Sequence, residues 1–184
     1  MCLILFSYKK HPRYKLIVAG NRDEFYNRPT AIANYWEDNP NILAGRDLEA
    51  NGTWMGINKK TGGIAMLTNY RDMAKIKDDA PSRGDLVSNF IKGNKNAADY
   101  FKNIEENLNE YNGFNLIMGQ PDDLHYTSNE FNGGLKSIPS GIYGLSNHLL
   151  NSEWPKVKKG KLKLEAITEN KNFEVEHLFE ALYD

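Results

Sequence analysis

Apolar positions fall first into short runs. Leu3-Ile4-Leu5-Phe6 and Leu16-Ile17-Val18-Ala19 flank the polar turn Lys9-Lys10-His11-Pro12. Runs this short, bounded by turn residues, predict two buried strands over Met1–Tyr8 and Tyr14–Asn21, paired as a hairpin. Phe25–Asn41 carries Pro29, Pro40 and several Asn and Asp, and reads as loop. Its aromatics Tyr26, Tyr35 and Trp36 either pave a pocket wall or anchor that loop. Ile42–Arg46, Thr53–Asn58 and Gly63–Asn69 read as strands, with turns at Asn51-Gly52 and Thr61-Gly62-Gly63. Arg71–Ala80 is polar and reads as an exposed connection.

Helical spacing then takes over. Leu86, Val87, Phe90 and Ile91 follow Ser82, a candidate N-cap, and Gly93 is the stop signal. Ala97, Tyr100, Phe101, Ile104 and Leu108 make one stripe over Asn96–Asn109. Strands return at Phe114–Met118, Leu124–Ser128, Gly134–Ile138 and Ile142–Ser146. Trp154-Pro155 opens a further helix, with Ser152 as cap and Gly160 as a weak point. In Phe173–Tyr183, Val175, Leu178, Phe179 and Leu182 share one face. Strands, helices, strands, helices in that order predict an α+β fold rather than alternating βα units.

Composition narrows the function classes. The 184 residues suit one domain. Lys+Arg 23 against Asp+Glu 24 leaves a net charge of -1, so nothing points to nucleic acid or an anionic membrane. No apolar run is long enough to span a bilayer, and the start lacks the pattern of a signal peptide. The expected compartment is the cytoplasm. The four histidines are scattered without metal spacing, and one cysteine makes no thiolate cluster, so no metal is expected. The lysines of 156–163 read as a solvated helix face.

That cysteine is Cys2. Methionine is normally trimmed before a small residue, which would put a thiol and an α-amine on the same residue. The amine titrates near roughly 8 and a thiol near roughly 8.5, so the amine can accept the thiol proton near neutral pH. The competing explanation is a small hydrophobe on a buried strand. Asn21-Arg22-Asp23-Glu24 ends the second strand, beside the chain start if the two strands pair. An Asp there can orient the amine, and an Arg can pair with it and favour a thiolate; a surface turn with one ion pair explains the tetrapeptide equally well. Asn69 and Asn147 each follow a strand and can donate to an oxyanion, although Asn is also a common turn residue. Trp54 follows the Asn51-Gly52 turn and can line a cleft.

Several blocks together carry a resemblance: Met1-Cys2, Ala19 to Phe25, Arg28-Pro29-Thr30, Gly45-Arg46-Asp47 and Gly52 to Gly56. They continue with Leu67 to Arg71, Ser82-Arg83-Gly84, Gly144 to Asn147 and Trp154 to Val157. In this order they resemble the NRDE family, also called the Transport and Golgi Organization 2 family. That family resembles N-terminal-nucleophile hydrolases, most of all the cysteine acylases of penicillin V and conjugated bile acids.

The resemblance implies a four-layered αββα sandwich. It also implies Cys2 as nucleophile, Arg22 and Asp23 as its supporting pair, and Asn69 and Asn147 as oxyanion donors. The spacing in the acylases leaves Asn21 and Glu24 as the alternative pair, so both enter the substrate-binding set with Trp54. Family members run further, through a late strand block, so the single domain of 1–184 is expected to be C-terminally incomplete. The expected function is cleavage of a small-molecule C–N amide bond without a cofactor. The alternative, from the family's eukaryotic members, is a non-enzymatic carrier of haem or a lipid-like ligand.

Overall fold

The computed structural model describes residues 2–183. The chain divides into two compact units, one built from the segments up to Asp23 and from Pro139 onward, the other from Glu24–Ile138.

The first unit is organised on β1 (Leu3–Tyr8), the middle of three antiparallel strands. β2 (Leu16–Asn21) pairs along one edge, with Leu3 opposite Asn21 and Tyr8 opposite Leu16. β10 (Gly141–Leu145) pairs along the other, from Ile4 opposite Leu145 to Tyr8 opposite Gly141. The expected hairpin therefore forms, and a strand distant in sequence seals its free side. All six residues of β1 are buried. Strand alternation sends Leu3 and Leu5 to one face, where they form a core with Val157, Leu164 and Ala181.

Val157 and Leu164 belong to α3 (Pro155–Glu169). Gly160 is no weak point in that helix. A Cβ there would stand 2.8 Å from Leu5 Cδ1, so its absence lets α3 lie against β1. Gly144 does the same from β10, where a Cβ would stand 2.8 Å from Val157 Cγ1. The short α4 (Val175–Glu180) packs on α3.

The second unit is a seven-stranded antiparallel meander. It runs β3 (Thr30–Tyr35), β4 (Ile42–Asp47), β5 (Met55–Asn58), β6 (Ile64–Asn69), β7 (Phe114–Gln120), β8 (Asp123–Ser128) and β9 (Lys136–Ser137). α1 (Gly84–Lys92) and α2 (Ala97–Ile104) connect β6 to β7. Leu86, Phe90, Ile91 and Tyr100 from these helices share a core with Ala65, Leu67, Leu116 and Met118. The fold is thus α+β, and each unit sets a helical layer on a β layer.

Several local expectations are corrected. The segment read as loop contains β3, whose six residues are all exposed. An edge strand with no buried side chain has no apolar alternation to read. Within the same segment Trp36 is an anchor: it is buried, donates Nε1–H to the Ala44 carbonyl at 3.2 Å, and lies under the Arg46 guanidinium. Neither Ser82 nor Ser152 caps its helix. Arg83 and Trp154 occupy those positions without a side-chain cap, whereas Asn96 does cap α2, accepting from the Asp99 N–H. The second helix ends as α-helix at Ile104 and continues as a 3-10 turn over Glu105–Glu110. Val175 and Phe179 are exposed while Leu178 packs inward, so the four apolar residues of the last segment do not share one buried face.

Replacing Gly160 by Leu tests the helix–strand approach. Helix propensity alone favours the change by about 1 kcal/mol. Overpacking against Leu5 reverses the sign, and urea denaturation should show a net loss of about 1–3 kcal/mol.

Candidate active site

Cys2 immediately precedes β1 and is half-buried, with a free thiol. Its sulfur is held by backbone. The Asp23 N–H points at Sγ at 3.4 Å, and Sγ lies 3.9 Å from the Asp23 carbonyl oxygen. The Cys2 carbonyl is held as well: the Ser146 hydroxyl donates to it at 2.8 Å and the Lys156 ammonium at 3.1 Å. Ser146 leaves the end of β10 and Lys156 comes from the first turn of α3.

Strand register accounts for this convergence. The β1–β2 ladder ends at Leu3 opposite Asn21 and the β1–β10 ladder at Ile4 opposite Leu145, so the residues that follow β2 and β10 leave their strands at the end of the sheet where Cys2 precedes β1. Asn21 pairs with Leu3 and shares its face, that of α3. Together with Leu3, Lys156 and Lys159 it lines a cavity of about 50 Å³ there.

The exposed Asp23 carboxyl is held below its ordinary value of 3.8 by a hydrogen bond from the positive chain-terminal amine and then by that amine's charge; slight desolvation opposes this and Lys156 adds to it. In the chain as written that amine belongs to the initiator residue, whose placement lies outside the described residues.

The other sequence candidates fall in the second unit. Asn69 ends β6 and is exposed; alternation gives it the parity of Leu67, which faces α1. Its neighbour Thr68 is buried on the other face, where it accepts from Asn115 Nδ2, and the Tyr126 hydroxyl donates to Asn115 Oδ1 at 2.7 Å. Glu24 is exposed and its Oε1 accepts the Phe25 N–H at 3.0 Å. Trp54 is half-buried and its carbonyl accepts the Leu67 N–H.

Two residues at the Cys2 carbonyl were missed. Lys156 is not part of a solvated face; it is half-buried at the Cys2 carbonyl. The available signal was a lysine in the first turn of a helix, where the macrodipole disfavours it. Ser146 carried no signal beyond standing next to Asn147.

The remaining sequence blocks hold the second unit together. Arg28 Nε donates to Asp47 Oδ2 at 2.7 Å. Burial would raise the Asp47 carboxyl, but Arg28 and the N–H groups of Ala50 and Glu49 hold it below its ordinary value. Gly52 and Gly84 touch backbone to backbone: a Cβ on Gly52 would stand 2.9 Å from the Gly84 carbonyl carbon. Arg83 donates to the Gly113 carbonyl at 3.1 Å. Among the described residues no group of three or more His, Cys, Asp or Glu is placed to hold a metal ion. None of the helices is long and apolar enough to cross a membrane.

A family model described as Transport and Golgi organisation 2 matches residues 1–184. Over 197 residues the chain is 38% identical to the Transport and Golgi organization 2 homolog of Mus musculus, covering all of this chain and 71% of that protein. The Homo sapiens homolog is 37% identical with the same coverage. The Drosophila melanogaster protein is 31% identical over 185 residues, covering 91% of this chain and 65% of its own. Among solved structures, the Caenorhabditis elegans N-acylethanolamine-hydrolyzing acid amidase ortholog aligns with a TM-score of 0.48 and 11% identity, covering 100% of this chain and 86% of that one.

The depressed Asp23 carboxyl has a pH signature. A folded value below the unfolded one contributes stability that is complete above the ordinary value of 3.8 and disappears as pH falls through the lower folded value. An Asp23→Asn variant should lose less stability than the parent over that acid window, read from urea midpoints at successive pH values.

Proposed function

The chain belongs to the Transport and Golgi organisation 2 family, and on that premise we propose that it is a thiol-nucleophile hydrolase of a small-molecule amide. The reading rests on residues of the first unit. The observation that carries it is the half-buried Cys2 sulfur receiving the Asp23 N–H at 3.4 Å.

The chemistry follows once Met1 is removed. The α-amine of Cys2 takes the thiol proton, and Sγ bonds to the amide carbonyl carbon. Asp23 keeps the resulting ammonium oriented, and Arg22 favours the thiolate before attack. The Asn147 amide stabilises the oxyanion. Collapse breaks the C–N bond, and the ammonium returns its proton to the leaving amine. Water then hydrolyses the thioester and regenerates the thiol.

Intact-mass spectrometry of protein made in cells tests the premise of that mechanism. Loss of Met1 is expected. Retention overturns the proposal, because the nitrogen before Cys2 would then be an amide with no proton-accepting pair. With Met1 gone, incubation with a panel of activated small-molecule amides should give a thioester adduct on Cys2 and released amine, both absent in Cys2→Ala. A haem titration on the same protein separates the carrier alternative: a Soret shift lost on mutation, with no adduct and no released amine, replaces the hydrolase reading.

A further inference from the structure

The two open sheets leave edges at β2, β10, β3 and β9. A bare edge invites pairing with another chain, and proteins usually blunt it. β9 is two residues long and carries Lys136. β3 follows Pro29 and its register shifts between Ala31 and Asn34. The β10 edge is closed at Gly144, whose N–H donates to Asn151 Oδ1 at 3.1 Å and whose carbonyl accepts the Asn151 N–H at 2.8 Å. β2 has none of these devices. Its ladder to β1 runs from Asn21 to Leu16 without a shift, and Leu16-Ile17-Val18-Ala19-Gly20 contains no charge and no proline.

The direction of each β2 peptide follows from one bond. The Lys9 N–H donates to the Lys15 carbonyl at 2.7 Å, one pair beyond Tyr8 opposite Leu16. Ladder alternation then turns the peptides of Ile17, Ala19 and Asn21 toward β1, and those of Leu16, Val18 and Gly20 outward. Among the described residues, the outward N–H and C=O groups of these three form no hydrogen bond. The Leu16 and Val18 side chains are half-buried.

This edge is complementary to itself. In antiparallel pairing about a two-fold axis at Val18, that residue stands opposite Val18 of the partner subunit, and Leu16 stands opposite Gly20 of the partner subunit. Each outward N–H then meets an outward C=O. The largest outward side chain meets the residue that has none, and two β-branched residues meet on the axis, a favourable cross-strand pair. Charge selects the same arrangement. The turn 9–15 holds Lys9, Lys10, Arg13 and Lys15 and no acid, and Lys10 and Arg13 are exposed. Parallel pairing of two copies would set one such turn beside the other. Antiparallel pairing puts the two turns at opposite ends of the contact, each at the end of β2 where Asp23 and Glu24 follow Arg22.

We infer that β2 is a dimerisation edge: two copies of this chain pair their β2 strands antiparallel about Val18, joining two three-stranded sheets into one continuous sheet. The contact is isologous and closes on itself. It rests on strand geometry and not on the hydrolase reading, although β2 leads directly to Asp23, whose N–H reaches the Cys2 sulfur.

The experiment uses the full chain. Light scattering after size exclusion should give about twice the chain mass of 21.0 kDa, falling toward one chain on dilution. Hydrogen–deuterium exchange resolved at single amides should find Leu16, Val18 and Gly20 slow in the dimer and fast after dilution, in step with the loss of mass. Val18→Lys and Val18→Glu each place like charges on the axis, and each should be monomeric. Mixed in equal amounts, the two should recover the doubled mass, and Val18→Thr should stay dimeric. Thermal melts establish that each variant is folded. A parent with the mass of one chain at every concentration overturns the inference and leaves the edge to a strand of a different protein. A dimer whose Leu16, Val18 and Gly20 amides exchange as fast as in the monomer also overturns it, because its contact then lies elsewhere. So do Lys and Glu variants that each dimerise alone. Should the charged variants fail to fold, amide exchange in the parent decides by itself. Amide cleavage by a monomer would remove this inference and leave the hydrolase reading standing; a β2-paired dimer that cleaves no amide would do the reverse.

Discussion

A strand that is hydrogen-bonded along both edges and buried on both faces has no freedom of position, and β1 is such a strand. Its ladders to β2 and β10 set every residue from Leu3 to Tyr8 in register, and its side chains are buried throughout. The residue just ahead of it inherits that fixity. Cys2 meets the chain leaving β2 on one side and the chain leaving β10 on the other. The groups nearest its sulfur and carbonyl are therefore set mainly by backbone geometry: the Asp23 N–H and carbonyl, and the Ser146 hydroxyl. In the proposed hydrolase reading, a sulfur held this way needs little reorganisation to react, which is the property that preorganised sites use.

Around that strand the glycines set distance. Gly144 and Gly160 let β10 and α3 approach closely enough for Lys156 to reach the Cys2 peptide. A methyl group at Gly160 would push against Leu5, at the heart of the same sheet. Packing in the core and the hold on the Cys2 carbonyl are thus coupled through one helix.

The sequence blocks that carry the family resemblance divide by task. Cys2, Ala19 to Asp23, Gly144 to Asn147 and Trp154 to Val157 lie in the first unit, with β1. Arg28-Pro29, Gly45-Arg46-Asp47, Gly52-Thr53 and Arg83-Gly84 instead brace the seven-stranded sheet, through the Arg28–Asp47 pair and the Gly52–Gly84 contact. A half-buried, hydrogen-bonded ion pair of this kind serves geometry more than net stability. Motif density by itself does not separate the two tasks; only the contacts do.

Read alone, the sequence determined the elements whose side chains announce their own burial. The β1–β2 hairpin, the central strands of the meander, and helices α1 and α2 follow from local periodicity, because each buries a regularly spaced set of apolar residues. Cys2 and Asp23 were legible as a pair for a similar reason, since a hairpin brings its own ends together. The tertiary structure decided what depends on residues far apart in the chain. β3 exists because β4 offers it hydrogen bonds, not because it buries anything. Gly160 marks a close approach rather than a weakness, because Leu5 lies opposite. Lys156 leaves the solvent-facing pattern of its neighbours because the Cys2 carbonyl, 154 residues away, waits at the end of a strand. Local periodicity carries no term for a partner at that separation, and the partner alone decides which lysine is a surface charge and which holds the Cys2 carbonyl.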